Sequence, residues 1–249
     1  MKKSAYKRAL CALFSVFLVL TMVFPGEVAL AASAPGNVAR FSMTGCSAST
    51  ISLSWSKVKG ASGYRIRRYD SKSKKWKTVL TATKGSAIKG TVKRLSPATT
   101  YKLQIHAYKK AGKKTLYSKK AKTLTVATKP AKVTLQSAKA SGAKITVSWK
   151  KVAASGYQVI YARNKHFKNG ESILVGGSNK AATYYAPYSG TYYVHLRPYK
   201  NLNGKKYYGS WSNTKTVKVN IPKQAYHTET VWAKRARTAS TVRSMYRTA

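Results

Sequence analysis

The chain has 249 residues, with 48 lysines and arginines against only 4 acids, for a formal net charge of +44. A hydrophobic fraction of 43% is enough to build cores, which excludes a disordered polycation. The acids, Glu27, Asp70, Glu171 and Glu229, are scattered, so no cluster stands ready for calcium or magnesium and no carboxylate pair for glycoside cleavage.

The first element in chain order is an address. Lys2, Lys3, Lys7 and Arg8 precede an apolar run from Ala9 to Phe24, followed by Pro25-Gly26 and Ala29-Leu30-Ala31. A basic start, a short apolar core and small residues at −3 and −1 predict a secretory signal peptide over 1–31, cleaved after Ala31. Its core of roughly 16 residues is short of the ~20 that a spanning helix needs, so no transmembrane segment is expected in the mature chain. Cys11 precedes the apolar core, where a lipid-attachment cysteine would not stand. Cys46 then remains alone, so no internal disulfide is expected and the hydrophobic core must hold the fold.

After a short linker at 32–35, the rest is a duplication. Ile51-Ser-Leu-Ser-Trp55-Ser-Lys-Val58 and Ser62-Gly63-Tyr64-Arg-Ile66 are matched by Ile145-Thr-Val-Ser-Trp149-Lys-Lys-Val152 and Ser155-Gly156-Tyr157-Gln-Val159. Tyr101-Lys-Leu-Gln-Ile-His-Ala-Tyr108 is matched by Tyr192-Tyr-Val-His-Leu-Arg-Pro-Tyr199. A period of about 93 residues is a whole domain, not a solenoid repeat. Within the first copy, Ile51, Leu53 and Trp55 alternate with Ser52 and Ser54, and Leu103, Ile105 and Ala107 alternate with Lys102, Gln104 and His106. Period-two alternation predicts strands with one buried face. Turn-formers separate them at Lys59–Gly63, Asp70–Ser73 and Ala111–Lys113. Several short strands at this spacing predict an all-β sandwich in each copy.

Leu95-Ser-Pro97-Ala-Thr99-Thr-Tyr101-Lys-Leu103 resembles the fibronectin type III signature around the sixth strand, where a tyrosine hydroxyl ties back to the backbone. Trp55 and Tyr64 fit that family's second-strand tryptophan and third-strand tyrosine. The resemblance implies two tandem immunoglobulin-like sandwiches, 36–128 and 129–221, with structural core positions Trp55, Tyr64, Leu95, Pro97, Tyr101, Trp149, Tyr157 and Tyr192. The second copy keeps Tyr192 but not the Leu-x-Pro-x-Thr spacing. The segment Gln224–Val231 resembles the opening of longer C-terminal segments found after such modules in Gram-positive surface proteins, and the Lys-rich makeup is similar to that source. Fold alone says little of function.

No site chemistry stands out. His106 and His195 fall on polar strand faces and read as solvent-facing, and no second ligand lies at metal-binding spacing from either. No Gly-x-Ser-x-Gly elbow, phosphate loop or dinucleotide fingerprint occurs. No catalytic residue, metal or cofactor is expected, and an enzyme is not.

The basic surface is the feature with a partner in it. Residues 35–129 carry 23 lysines and arginines against Asp70, and 130–222 carry 15 against Glu171. The candidate polyanion-binding residues are Arg65, Arg67, Arg68, Lys72, Lys74, Lys75, Lys77, Lys109, Lys110, Lys113 and Lys114. Lysines at such positions also keep strand edges soluble and unpaired, so both roles stay open. Export excludes intracellular nucleic acid. The expected partners are anionic extracellular polymers (teichoic acid, sulfated glycan or extracellular DNA) or surface proteins, and the expected location is outside the cell or on its wall.

Ten tyrosines crowd the second copy, including the pairs Tyr184-Tyr185, Tyr192-Tyr193 and Tyr207-Tyr208. Adjacent strand residues face opposite ways, so one ring of each pair is expected at the surface. Exposed rings could stack on sugars, which gives the alternative function of a carbohydrate-binding accessory module. Trp211, after Gly209-Ser210, is expected to pack over a sheet end. From 222 to 249 the chain becomes a basic, arginine-bearing tail, read as disordered or as an amphipathic helix.

Overall fold

In a computed structural model of the chain, residues 32–222 are described; the expected signal peptide and the tail beyond Pro222 lie outside them. The described residues contain no helix. They form two compact units, with the main division near residues 126–127.

The first unit holds β1 (Phe41–Cys46), β2 (Ile51–Trp55), β3 (Gly63–Asp70), β4 (Lys75–Ala82), β5 (Lys89–Val92), β6 (Thr100–Ala111), β7 (Lys114–Tyr117) and β8 (Lys122–Ala127). One sheet has the order β1-β2-β5; the other runs β4-β3-β6-β7, with β8 also on β6. The second unit repeats this with β9 (Thr134–Ser141), β10 (Lys144–Lys150), β11 (Gly156–Ala162), β12 (Glu171–Gly176), β13 (Ala181–Tyr185), β14 (Gly190–Leu202), β15 (Lys205–Tyr208) and β16 (Lys215–Val219). Its sheets are β9-β10-β13 and β12-β11-β14-β15, with β16 also on β14. The order is the same strand for strand.

Alternation builds the cores. In β2, Ile51, Leu53 and Trp55 are buried while Ser52 and Ser54 are half-exposed. In β10, Ile145, Val147 and Trp149 face inward, and they meet Tyr157, Val159 and Tyr161 of β11 and Tyr192, Val194 and Leu196 of β14 in one apolar cluster. Burying side chains of this size stabilises each by about 1.5–3 kcal/mol.

At the centre of each unit a tryptophan leans on a tyrosine. Trp55 and Tyr64 have ring centroids 5.5 Å apart, and Trp149 and Tyr157 5.1 Å. The tyrosine hydroxyl then fixes the loop between the two strands. Val58 N–H donates to the Tyr64 hydroxyl at 2.8 Å, and the hydroxyl lies 3.3 Å from the Gly85 carbonyl it donates to. In the second unit, Val152 N–H donates to the Tyr157 hydroxyl at 3.1 Å, and the hydroxyl returns a bond to the Val152 carbonyl at 2.9 Å. The glycine before each tyrosine is required by close approach. A Cβ on Gly63 would lie 2.7 Å from Cζ of Tyr108, and one on Gly156 2.6 Å from Cζ of Tyr199.

The backbone tie expected of the corner tyrosine is present in the copy that lacks the full corner motif. Tyr192 donates its hydroxyl to the carbonyl of Tyr188 at 3.1 Å. Position and ring suffice for this bond; the Leu-x-Pro-x-Thr spacing does not enter it.

Removing the Tyr157 hydroxyl (Y157F) deletes both bonds to Val152 and is expected to cost about 1–2 kcal/mol. Gly156→Ala forces a methyl against the Tyr199 ring and is expected to cost about 1–3 kcal/mol. Urea unfolding should show lower midpoints with an unchanged slope in both variants.

Candidate functional site

The basic clusters separate once register is known. Gly63 of β3 pairs with Tyr108 of β6, and Arg68 with Leu103. The β3–β4 turn and the β6–β7 hairpin therefore lie at opposite ends of one sheet, separated by the eight residues of β3, or about 25 Å at ~3.3 Å per residue. The first end carries Lys72, Lys74, Lys75 and Lys77; the other carries Lys110, Lys113 and Lys114, all exposed, with Lys109 half-buried. Asp70 is ion-paired with Lys77. That bond, with backbone N–H groups of the turn, holds the Asp70 carboxyl well below the usual carboxylate range.

The arginines between these ends are engaged with the sheet. Arg65 lies over the Tyr117 ring at 4.7 Å and Arg68 over Tyr101 at 5.5 Å. With its amide oxygen turned toward Arg67, Gln104 accepts from Nε and Nη2, both at 3.1 Å. His106 sits beside them, its Nδ1 3.0 Å from the Ser118 carbonyl. Arg65, Arg67, His106 and Tyr117 line a cleft of about 50 Å³.

The second unit carries a ladder on the corresponding sheet face, and it corrects the sequence reading of His195. That ring is not solvent-facing. It is stacked between Phe167, at 3.5 Å and 8°, and Trp211, at 4.0 Å and 15°. Arg197 continues the stack, 4.3 Å from the Trp211 ring and 3.8 Å from Tyr208, and its Nε donates to Gln158 Oε1 at 2.8 Å. Trp211 thus packs on the sheet face, not over its end. Phe167 reaches His195 because its loop turns through a left-handed backbone, with φ 57° at Phe167 and 55° at Asn169. Asn164 holds that loop: its Oδ1 accepts from the His166 and Lys168 amides, and its Nδ2 donates to the Lys168 carbonyl at 2.7 Å. Burial first, and the Arg197 charge second, lower the His195 pKa to about 4.

The same loop borders a larger cavity. A pocket of about 300 Å³ opens among Tyr161, Arg163, Lys168, Asn169, Glu171, Tyr184, Pro187, Tyr188 and Tyr192. Tyr161 and Tyr184 are stacked at 4.5 Å and 16°. The surface ring expected from each adjacent tyrosine pair is present at Tyr185, 68% exposed, while Tyr193, Tyr207 and Tyr208 are half-buried. Tyr188, which belongs to no pair, is 63% exposed at the pocket rim. Among the described residues no three His, Cys, Asp or Glu side chains converge to hold a metal.

Two sheets of three and four-plus-one strands, packed through a Trp–Tyr core and closed by a tyrosine tie, define the class: each unit is an immunoglobulin-like β-sandwich. The family follows from sequence. Residues 33–123 match the fibronectin type III domain, so the first sandwich is one. The second sandwich has the same strand order. Among solved structures, the chain is similar to a two-domain fibronectin type III segment of chicken tenascin, at 17% identity, covering 76% of this chain and 100% of that one, with a TM-score of 0.43. It is also similar to the FN1-FN3 domains of chicken CNTN1, at 18% identity, covering 76% and 68%, with a TM-score of 0.34. No curated protein sequence matches it.

The ladder makes stability depend on pH. Well above pH 6.5, His195 is neutral in the folded and unfolded chain alike. As pH falls from 6.5 toward 4, the unfolded chain takes up a proton that the folded ring refuses, so stability falls. Thermal unfolding of the second sandwich is expected at lower temperature at pH 4.5 than at pH 7, and the difference should be smaller once His195→Phe removes the titration. NMR titration of the ring checks the midpoint near 4 directly.

Proposed function

We propose that this chain is a non-catalytic extracellular binding module that attaches to anionic polymer of a cell envelope or host surface. Fibronectin type III domains are commonly binding or adhesion modules of extracellular proteins, and residues 33–123 are one. The signal-like start of the sequence supports export. No helix among the described residues is long and apolar enough to cross a membrane.

The observation that carries the proposal is the placement of exposed lysine at both ends of the first sandwich, with the one acid of that region already paired. Lysine gives loose point-charge attraction, which suits a flexible polymer more than a fixed small anion. A partner that touches both ends must span about 25 Å, which means an extended chain. Each phosphate or sulfate met releases counterions, so affinity falls steeply with salt.

Retention on heparin or on wall teichoic acid is expected at low salt and lost as salt rises. Replacing Lys72, Lys74 and Lys75 by Ala, or Lys110, Lys113 and Lys114 by Ala, should each lower the log–log salt slope by about 2–3, and combining the two sets should nearly abolish retention. A chain that passes through both resins at low salt would refute the proposal.

A further inference from the structure

We infer that the 300 Å³ pocket of the second sandwich is a binding site for a sugar ring, a role separate from the lysine ends of the first. The volume is at the lower end of the small-molecule range, enough for a single saccharide unit at the end of a glycan. Its walls are built, not incidental. Tyr161 is 1% exposed, lines the pocket and has a hydroxyl with no hydrogen-bond partner. A buried hydroxyl in that state costs free energy until water or a ligand reaches it.

Tyr184 stacks on Tyr161, and burial together with the Glu171 carboxylate bonded to its hydroxyl pushes its pKa up to about 12, so it stays a neutral donor at any ordinary pH. Glu171 is the one acid of residues 130–222, and it stands here. Tyr188 offers an exposed ring at the rim, with the Arg163 guanidinium 5.7 Å over it. The bordering loop is held by the Asn164 side chain, so the wall is formed before anything binds.

The lining selects the ligand class. A phosphate or sulfate would be drawn by Arg163 and Lys168 but opposed by Glu171, and it would leave the tyrosine ring faces unused. An organic cation would meet Arg163 and Lys168. An apolar ligand would leave the carboxylate, the guanidinium and the amides unpaired. A pyranose has apolar C–H faces for tyrosine rings and hydroxyls that both donate and accept, and these match Glu171 as acceptor and Arg163 and Asn169 as donors.

The test is ¹⁵N NMR of the full chain titrated with the methyl glycosides of glucose, galactose, mannose and N-acetylglucosamine, and with maltose, cellobiose and chitobiose. At least one of these is expected to move the amides of Arg163, Asn169, Glu171 and Tyr184 along a saturable curve, with a dissociation constant near millimolar or below. The curve should be the same at about 50 and 500 mM salt, because no net charge is neutralised. Tyr188→Ala, at an exposed rim position, should weaken binding about tenfold, and Glu171→Gln, which keeps the side-chain size, should weaken it by a similar factor. No shift at these amides with any of the sugars overturns the inference. So does binding that survives both variants, and so does binding that falls with salt. Heparin retention is read on separate resins and separate variants, so either proposal can fail without the other.

Discussion

Each sandwich depends on one contact, a strand tryptophan laid against the tyrosine of the next strand. The pair does three things at once. It fills the middle of the core, it sets the separation of the two sheets, and through the tyrosine hydroxyl it pins the loop that carries the chain from one sheet to the other. The glycine before the tyrosine completes the arrangement, because the ring of Tyr108 or Tyr199 on the neighbouring strand occupies the space a side chain would need. With a single cysteine in the described residues, the cost of ordering each unit is met by apolar burial, to which these large rings contribute.

Arginine and lysine do different work on this surface. Arg65, Arg68, Arg163 and Arg197 each lie over an aromatic ring, and Arg67 faces a buried amide. A planar, weakly hydrated guanidinium packs on a ring face at little desolvation cost, while an ammonium keeps its water. The candidate lysines of the first sandwich lie at or beside the β3–β4 turn and the β6–β7 hairpin, while in the second Lys205 and Lys206 also reach tyrosine rings, each at 5.6 Å. The charge free to meet a polymer is therefore mostly lysine, and the arginines named with it from sequence act first as part of the sheet face.

Much of the fold was legible in the sequence. The alternation at Ile51–Trp55 and Leu103–Ala107, the 93-residue repeat and the Gly-Tyr pairs each report a local rule, and local rules survive in a linear string. What was not legible depends on register and on distant partners. Gln104 and His195 occupy polar positions of their strands but are covered, one by Arg67 and the other by Phe167 and Trp211, residues far away in sequence. Phe167 arrives through a left-handed backbone that no propensity for phenylalanine would suggest. The string does not say where the lysine clusters at 72–77 and 109–114 lie relative to each other, and the antiparallel pairing of β3 with β6 sends them to opposite ends.

The duplication then becomes a division between two copies of one scaffold. Superposed by sequence, Gln104 of the first copy corresponds to His195 of the second, and His106 to Arg197. The first copy leaves its sheet face with two arginines beside a small cleft, and concentrates lysine at the ends. The second closes the same face with stacked rings and opens a tyrosine-lined pocket beyond it, bordered by the loop that carries Phe167. That loop links the two features of the second copy: the Asn164 bonds that carry Phe167 to the ladder also hold the pocket wall. A change that loosens the ladder should therefore reach the pocket through a few residues of backbone, with no need for movement in the core.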